Sequence, residues 1–376
     1  MIRAASAPPR ALPGEARAAS LARLVRAGEL VLVPAAALLL AAGLFALFLL
    51  ALGRSPVQFF ELVWRGGFAS AFSWQNTLQR AAPLVLAALC VAIPARAGLL
   101  VIGGEGALVL SGFVAAAIAI PFLGLLPASL LLAVMALAAA ATGAAWIGLA
   151  GWLREARGVN ETIATLLLTY IAIAIMNFFV EGPLRDPASA NKPSTPPIGR
   201  DTMIGPIPGT EVHWGLAAGL VACLAAWVLA TRTTTGFALT VVGGNARAAM
   251  AQGLPVGRLV LLATGLGGAM AGLAGFFEVA AIHGQANASL AAGYGFTAIL
   301  VSFLARHHPL AIPPVAILFG GLAAAGGLVQ RRMGLPDATM LVLQGIVFVT
   351  LLAAETVRGR LVLPGLAGGA SGSAPR

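Results

Sequence analysis

Charge is what this chain has least of. Only 10% of its 376 residues are Asp, Glu, Lys or Arg, against about 25% in an ordinary soluble domain. With 59% hydrophobic residues, that scarcity excludes a soluble globular protein and points to an integral membrane protein. Lysine is rarer still, since Lys192 is the only one. A phosphate-binding P-loop needs Gly-Lys followed by Ser or Thr, because the lysine reaches the terminal phosphates, and Lys192 follows Asn191. The chain therefore has no Walker A loop and no assigned catalytic residue, and nucleotide-driven work must come from another subunit. The two cysteines, Cys90 and Cys223, both fall inside apolar runs, so buried thiols are expected rather than a disulfide or metal pair. Four histidines without ligand spacing add nothing to a metal case, and no metal ligand is assigned. Ionisable groups deep in the apolar runs are few, which argues against a proton- or sodium-coupled carrier, where such costly charges are retained for use.

What the chain does have is apolar length. Leu30 to Gly53, Ala107 to Gly151 and Leu259 to Phe277 each exceed the roughly 18 residues that span a bilayer as a helix, and the second is long enough for two passes. The expected fold is all-α, a polytopic transmembrane bundle of about ten membrane segments. Their cores are 30–53, 76–95, 104–120, 125–150, 162–180, 214–231, 258–282, 296–305, 309–328 and 338–355. The segment Phe296 to Ala305 rises only about 15 Å, too little to cross upright, so a re-entrant or broken helix is expected there. Glycine is frequent inside the runs, as from Gly265 to Gly275 with its Gly268 and Gly272 pair, and small residues let helices approach closely.

Residues 1–28 carry five arginines and lead into an uncharged run of more than 20 residues, longer than the h-region of a cleavable signal peptide. This predicts a basic, disordered cytoplasmic tail and a retained first span. With the N-terminus inside, the inner segments hold Arg3, Arg10, Arg17, Arg23, Arg26, Arg96, Arg154, Arg157, Arg232, Arg247, Arg258, Arg306, Arg358, Arg360 and Arg376. The outer segments hold eight basic residues, and this asymmetry favours that orientation. The same scatter explains the net charge of +10 by membrane orientation, so no nucleic-acid partner is expected. The plan is then a tail over 1–28, a transmembrane domain over 29–357, an outer loop over 181–213, a cytoplasmic segment over 232–257 and a C-terminal tail over 358–376. The outer loop, with seven prolines, reads equally as a linker or as a docking surface for an external partner.

Within 232–257, Asn245 can cap a helix of about two turns, and Gly253 with Pro255 can stop it. So short a helix is marginal alone in water and should be docked, either to receive motion from another protein or as a simple helical turn in a loop. Glu105, set in Gly103-Gly104-Glu105-Gly106, and Glu161, after Asn160, each begin a span. They are either first-turn acids favoured by the helix dipole or residues that fix the inner ends of helices lining or gating a path. Glu278 lies about 30 Å along its helix, near the outer edge of the hydrocarbon, where it is either interfacial or part of a substrate path. Thr169, Tyr170 and Asn177 in the fifth span and Gln344 in the last can join helices or bind a polar solute.

Taken in order, several stretches resemble the permease subunits of ABC importers, in the branch that handles simple sugars and nucleosides. They are Gly98-Leu-Leu-Val-Ile-Gly-Gly-Glu-Gly106, Asn160-Glu-Thr-Ile-Ala-Thr-Leu-Leu-Leu-Thr-Tyr-Ile-Ala172, Gly182-Pro-Leu-Arg-Asp-Pro187, Thr235-Gly-Phe237, the Gly244-Asn245 helix, Gly293-Tyr-Gly-Phe296 and Gln344-Gly345. The resemblance covers most of residues 80 to 355, and the Asn-Glu and Gly-Pro-Leu-Arg-Asp-Pro elements are most similar to nucleoside-type permeases. It implies that Gly244, Asn245, Arg247, Ala248, Ala249 and Gly253 form the cytoplasmic coupling helix that rests on an ABC ATPase subunit. Arg247 stands where related chains often carry an acid. It further implies a second permease chain, more often a different one than a copy, an extracytoplasmic solute-binding protein, surrounding membrane lipid, a bacterial inner-membrane location, and ATP with Mg used only by the partner. Val101 and Ala107 stand where Asn and Gln are common, and Thr169 where Asn is usual, so the resemblance bears on coupling more than on the solute. Simple-sugar transport, an ion-coupled carrier and a non-transporting scaffold are the alternative readings.

Overall fold

The computed structural model describes residues 32–33, 35–189, 191–336 and 338–357. The tails expected at 1–28 and 358–376 lie outside the described residues. By contact the chain divides into two units, one of residues 57–340 and one of the flanking segments up to Pro56 and from Leu341. In the flanking unit, helix α1 (Ala35–Ala51) buries Ala37, Ala41, Phe45 and Leu49 at four-residue spacing. There helix α13 (Ala338–Val357) buries Leu343, Gln344, Val347 and Leu351. Each stripe is one face of a 3.6-residue period.

The larger unit begins with α2 (Pro56–Gly67) and α3 (Ala71–Ala95), followed by α4 (Gly104–Phe122), α5 (Ala128–Arg157) and α6 (Glu161–Glu181). After the long proline-rich connection come α7 (Gly215–Arg232), α8 (Thr234–Gly244), α9 (Ala246–Ala251) and α10 (Val256–Phe277), which continues as a π-helical turn over Glu278–His283. The short α11 (Tyr294–Leu304) and α12 (Ile312–Met333) complete it. Among the described residues no strand forms beyond two isolated bridges, Ser194 with Asn287 and Pro206 with His213. Among the described residues seven helices are long and apolar enough to cross a membrane, or eight if α1 and α2 count as one span, and α8, α11 and α13 add shorter apolar segments.

Two segments depart from the ten-segment expectation. Residues 54–75, which apolar length alone leaves as a connection, contain α2, because Phe59, Leu62, Val63 and Gly67 form one buried face while Glu61 and Arg65 pair across a turn at 2.6 Å on the exposed one. The expected cytoplasmic segment likewise holds two helices, α8 ahead of α9, since the Thr233 hydroxyl caps α8 by accepting from the Gly236 N–H. The short segment around Phe296 is short in the structure as well, with only 11 residues in α11.

Glycines set the packing of the larger unit. A Cβ at Gly143 would lie 2.2 Å from the Gly268 carbonyl oxygen, and one at Gly272 would lie 2.2 Å from the Ala139 carbonyl oxygen, so α5 and α10 run backbone against backbone. Gly275 of α10 meets the Leu108 carbonyl of α4 in the same way. In a bilayer, where apolar burial gives no preference for helix over lipid, the van der Waals packing that such close approach allows is one of the forces that hold helices together.

Candidate functional site

The short helix of the 232–257 segment is built by its caps. The Asn245 Oδ1 accepts from the Ala248 N–H at 3.0 Å, and Gly253 takes a left-handed conformation at φ +81°, which glycine adopts without a Cβ clash. Between them α9 turns Ala249 inward, into an apolar cluster with Ala97, Leu99, Leu239, Val242, Leu259 and Val260. Arg247, Ala248, Met250, Ala251 and Gln252 remain exposed, leaving a free face of one cation and small or flexible side chains. Gly244 is exposed too, with nothing near its Cβ position.

Behind α9, the loop from Arg96 to Gly103 is gripped on both sides. A Cβ at Gly243 would lie 2.3 Å from the Arg96 carbonyl oxygen and 2.9 Å from the Gly98 nitrogen, while Gly98 sits at φ +74°. On the other side the loop is stitched to the start of α6. The Leu100 N–H donates to Glu161 Oε1 at 3.4 Å, the Thr162 hydroxyl donates to the Leu100 carbonyl at 2.9 Å, and the Ile102 N–H donates to the Thr165 hydroxyl at 3.2 Å. Glu161 is held by Arg154 of α5 at 2.6 Å, and Asn160 caps α6 by accepting from the Thr162 and Ile163 N–H groups. Glu161 is thus more than a first-turn acid, since it joins α5, α6 and the loop.

The loop ends in the Gly103 to Gly106 motif, whose acid reaches a different helix. The buried Glu105 carboxylate accepts from the Gly293 N–H at 2.7 Å and from the Gly295 N–H at 2.5 Å, supplying acceptors for donors that the start of α11 leaves free. The glycines make room: Cβ atoms at Gly103 and Gly106 would meet Thr165 and Thr169 of α6 at 2.6 and 2.5 Å, and one at Gly295 would lie 2.1 Å from the Glu105 nitrogen. At its other end α11 stops at two successive left-handed residues, Arg306 and His307, with φ of 55° and 54°. Each is disfavoured by about 1 kcal/mol or more for an L-residue. The His307 N–H donates to the Ser302 carbonyl, and His307 Nδ1 and the Ser302 hydroxyl lie 2.9 Å apart.

Beyond the end of α10 a second group of polar residues gathers around Glu278. This residue is 2% exposed; its Oε2 lies 3.5 Å from His283 Nε2, and its Oε1 has no hydrogen-bond partner among the described residues. His213, at the end of the proline-rich connection, packs against the Phe277 ring and accepts at Nδ1 from the Gly215 N–H, leaving a buried, unpartnered Nε2. Burial holds His213 below the ordinary imidazole range, with the Glu278 charge pulling the other way. The connection itself closes over this end: Thr195, Ile198 and Ile204 donate their N–H groups to the carbonyls of Ala286, Gly284 and Ala280.

The remaining sequence-derived candidates fall elsewhere. Thr169 is fully buried at the α4 to α6 seam, with its hydroxyl spent on the Thr165 carbonyl. Tyr170 is exposed, Asn177 is half-buried on the same helix, and Gln344 is buried in α13, in the flanking unit. Among the described residues no group of His, Cys, Asp and Glu is arranged to hold a metal ion. One residue that the sequence reading passes over, His213, stands against Phe277 at the end of α10, next to Glu278 in the chain.

The family described as "Branched-chain amino acid transport system / permease component" matches residues 73–352. The chain is 35% identical to the glucose ABC transporter permease protein TsgB13 of Haloferax volcanii, over 82% of this chain and 83% of that one. It is 28% identical to the guanosine ABC transporter permease protein NupP of Bacillus subtilis, over 87% and 94%. It is 27% identical to the nucleoside ABC transporter permease protein NupB of Lactococcus lactis, over 85% and 90%. Haloferax volcanii and Bacillus subtilis each contribute a second, more distant relative that also carries glucose or guanosine in its name. A family match over residues 73–352, joined by such similarity across most of both chains, shows that this chain belongs to the branched-chain-type family of ABC transport permeases.

Proposed function

We propose that this chain forms half of the path by which an ABC importer moves a nucleoside or a simple sugar across the plasma membrane. The observation that carries the reading is the unbroken mechanical connection from α9 through the Arg96–Gly103 loop to the Glu105 seat of α11. The exposed face of α9, with Arg247, Ala248 and Met250, is the ATPase contact, and Gly244, Asn245, Ala249 and Gly253 shape and dock it. Gly103, Gly104, Glu105, Gly106, Asn160 and Glu161 transmit its displacement to α6 and α11. ATP binding and hydrolysis on the partner then bias the path between inward- and outward-facing states by acting on an element held in one of two arrangements.

The arginine asymmetry supports a cytoplasmic N-terminus, with 232–257 inside and 181–213 outside. On that orientation the proline-rich connection faces the solute-binding protein. Relatives that occur in pairs within one organism support a second, different permease chain as the partner. The solutes in the relatives' names, guanosine, nucleoside and glucose, support a nucleoside or a simple sugar as the cargo.

The test is uptake into proteoliposomes holding this chain with its partner permease and ATPase, supplied with the solute-binding protein. Radiolabelled guanosine or glucose is expected to accumulate only with ATP and to be indifferent to ionophores that collapse proton and sodium gradients. Gradient-driven uptake without ATP would replace this reading with an ion-coupled carrier.

A further inference from the structure

An open apolar groove of about 470 Å³ runs along the last three turns of α7, lined by Val221, Leu224, Ala225, Val228, Leu229 and Thr233. Its volume is in the range of small-molecule sites. Val221, Leu224 and Val228 are all exposed, and their spacing of three and four residues puts them on one helix face. From Val221 to Thr233 the chain rises about 18 Å, against roughly 15 Å for the hydrocarbon of one leaflet. The groove is one leaflet deep. At its end stands the exposed Arg232, whose guanidinium carbon lies 5.8 Å from the centre of the Trp227 ring, a cation–π geometry. Tryptophan is enriched where a bilayer meets water. There α8 begins, pressed on the end of α7: a Cβ at Gly236 would lie 2.1 Å from the Leu229 carbonyl oxygen, and the next residue, Phe237, is largely exposed.

The charge around the groove is of one sign. Between Val212 and Phe277 the sequence holds no Asp or Glu, while Arg232, Arg247 and Arg258 fall there, and among the described residues Arg232 makes no ion pair. The end of α5 shows the contrast. It repeats the five-residue step from an exposed Trp152 to an exposed Arg157, but Glu155 and Glu161 flank that arginine. We propose that the end of α7 is a binding site for an anionic phospholipid, with one acyl chain in the groove and the phosphate at Arg232, beside Trp227 and Phe237. A guanidinium matches phosphate oxygens in charge and in hydrogen-bond geometry. A protein face laid on the groove would satisfy the apolar part and bury Arg232 unpaired, which is costly, whereas an anionic lipid satisfies both parts at once. The proposal takes from the transport reading only the membrane and the cytoplasmic placement of this end. On that orientation the lipid belongs to the inner leaflet, whose surface is negative, and it lies against the joint that carries α7 into α8 and α9.

The experiment reconstitutes the full chain in bilayers of phosphatidylcholine with one-fifth phosphatidylglycerol and reads quenching of tryptophan emission, with bromine on the acyl chains of one lipid or the other at equal bilayer fraction. The emission lost in Trp227→Phe isolates Trp227 among the six tryptophans. Brominated phosphatidylglycerol is expected to occupy the place beside Trp227 about fivefold more often than brominated phosphatidylcholine, the weight of one arginine near an anionic surface. Arg232→Gln should bring that preference to within 1.5-fold of unity, Arg232→Lys should keep most of it, and Arg157→Gln should leave it unchanged. Ala225→Phe, which fills the groove and spares the charge, should cut it by half or more. Equal quenching by the two lipids in the parent would overturn the site in favour of ordinary solvation by lipid, and quenching by neither would overturn it in favour of a partner chain or a second copy on this face. A preference that survives Arg232→Gln would overturn it as well. These readings need neither ATP nor solute, so a transporter that fails to take up guanosine or glucose while the lipid preference persists removes the cargo reading alone.

Discussion

The α5 to α10 seam and the seat of α11 hold helices by opposite means. At the seam, Gly143, Gly268 and Gly272 bring backbone onto backbone, and any added Cβ would sit about 2 Å from a carbonyl oxygen. At the seat, one carboxylate, Glu105, accepts two N–H groups from a helix of only 11 residues. A steric contact has one arrangement and resists displacement in every direction. A charge-assisted hydrogen bond is stronger than a neutral one, yet it can be exchanged for another donor or for water. If the path opens and closes as proposed, the seam is the part expected to stay fixed and the seat the part expected to move.

The largest expected effect tests the fixed part. Gly268→Leu should prevent α5 and α10 from closing, and the yield of monodisperse protein in detergent should fall more than tenfold. A normally assembled variant would erase the contrast by showing that the seam yields. Glu105→Ala should leave assembly intact while uptake per ATP hydrolysed falls about tenfold, because the start of α11 loses both acceptors, each worth roughly 1.5–3 kcal/mol when charged. Glu105→Gln, which keeps one carbonyl acceptor, should fall between Ala and the parent, and a failure of assembly in Glu105→Ala would move the seat into the fixed class. The smallest effect is expected at α9. Asn245→Ala removes an N-cap worth about 1 kcal/mol and should lower uptake no more than about fivefold, with Asn245→Ser restoring it. Loss of transport in both would mean that Asn245 touches the ATPase rather than only capping α9.

The elements that could be read from the sequence are those whose causes are local. Asn245, Gly253 and Pro255 announce the short helix because caps and stops act within a few residues, and the brevity of the Phe296 segment is a matter of counting. The Gly103-to-Gly106 motif was visible, but its meaning was not, since the bonds from Glu105 span 188 and 190 positions and no local signal names their partner. Thr169 shows the converse: a polar residue in a span looks available for solute, yet its hydroxyl is consumed one turn back and its backbone is pressed against Gly106. Residues 54–75 escaped for a third reason, because α2 is amphipathic rather than continuously apolar. His213 sits in a proline-rich stretch that carries no helical period at all.

The meeting of Gly98 and Gly243 has a kinematic consequence. In most helix contacts a side chain can change rotamer and absorb a push of an ångström or so before the backbone responds. Here each partner presents only main chain to the other, so the joint has no slack to take up. On the proposed coupling, a displacement of α8 is expected to reach the Arg96–Gly103 loop with little loss, as through a joint without backlash.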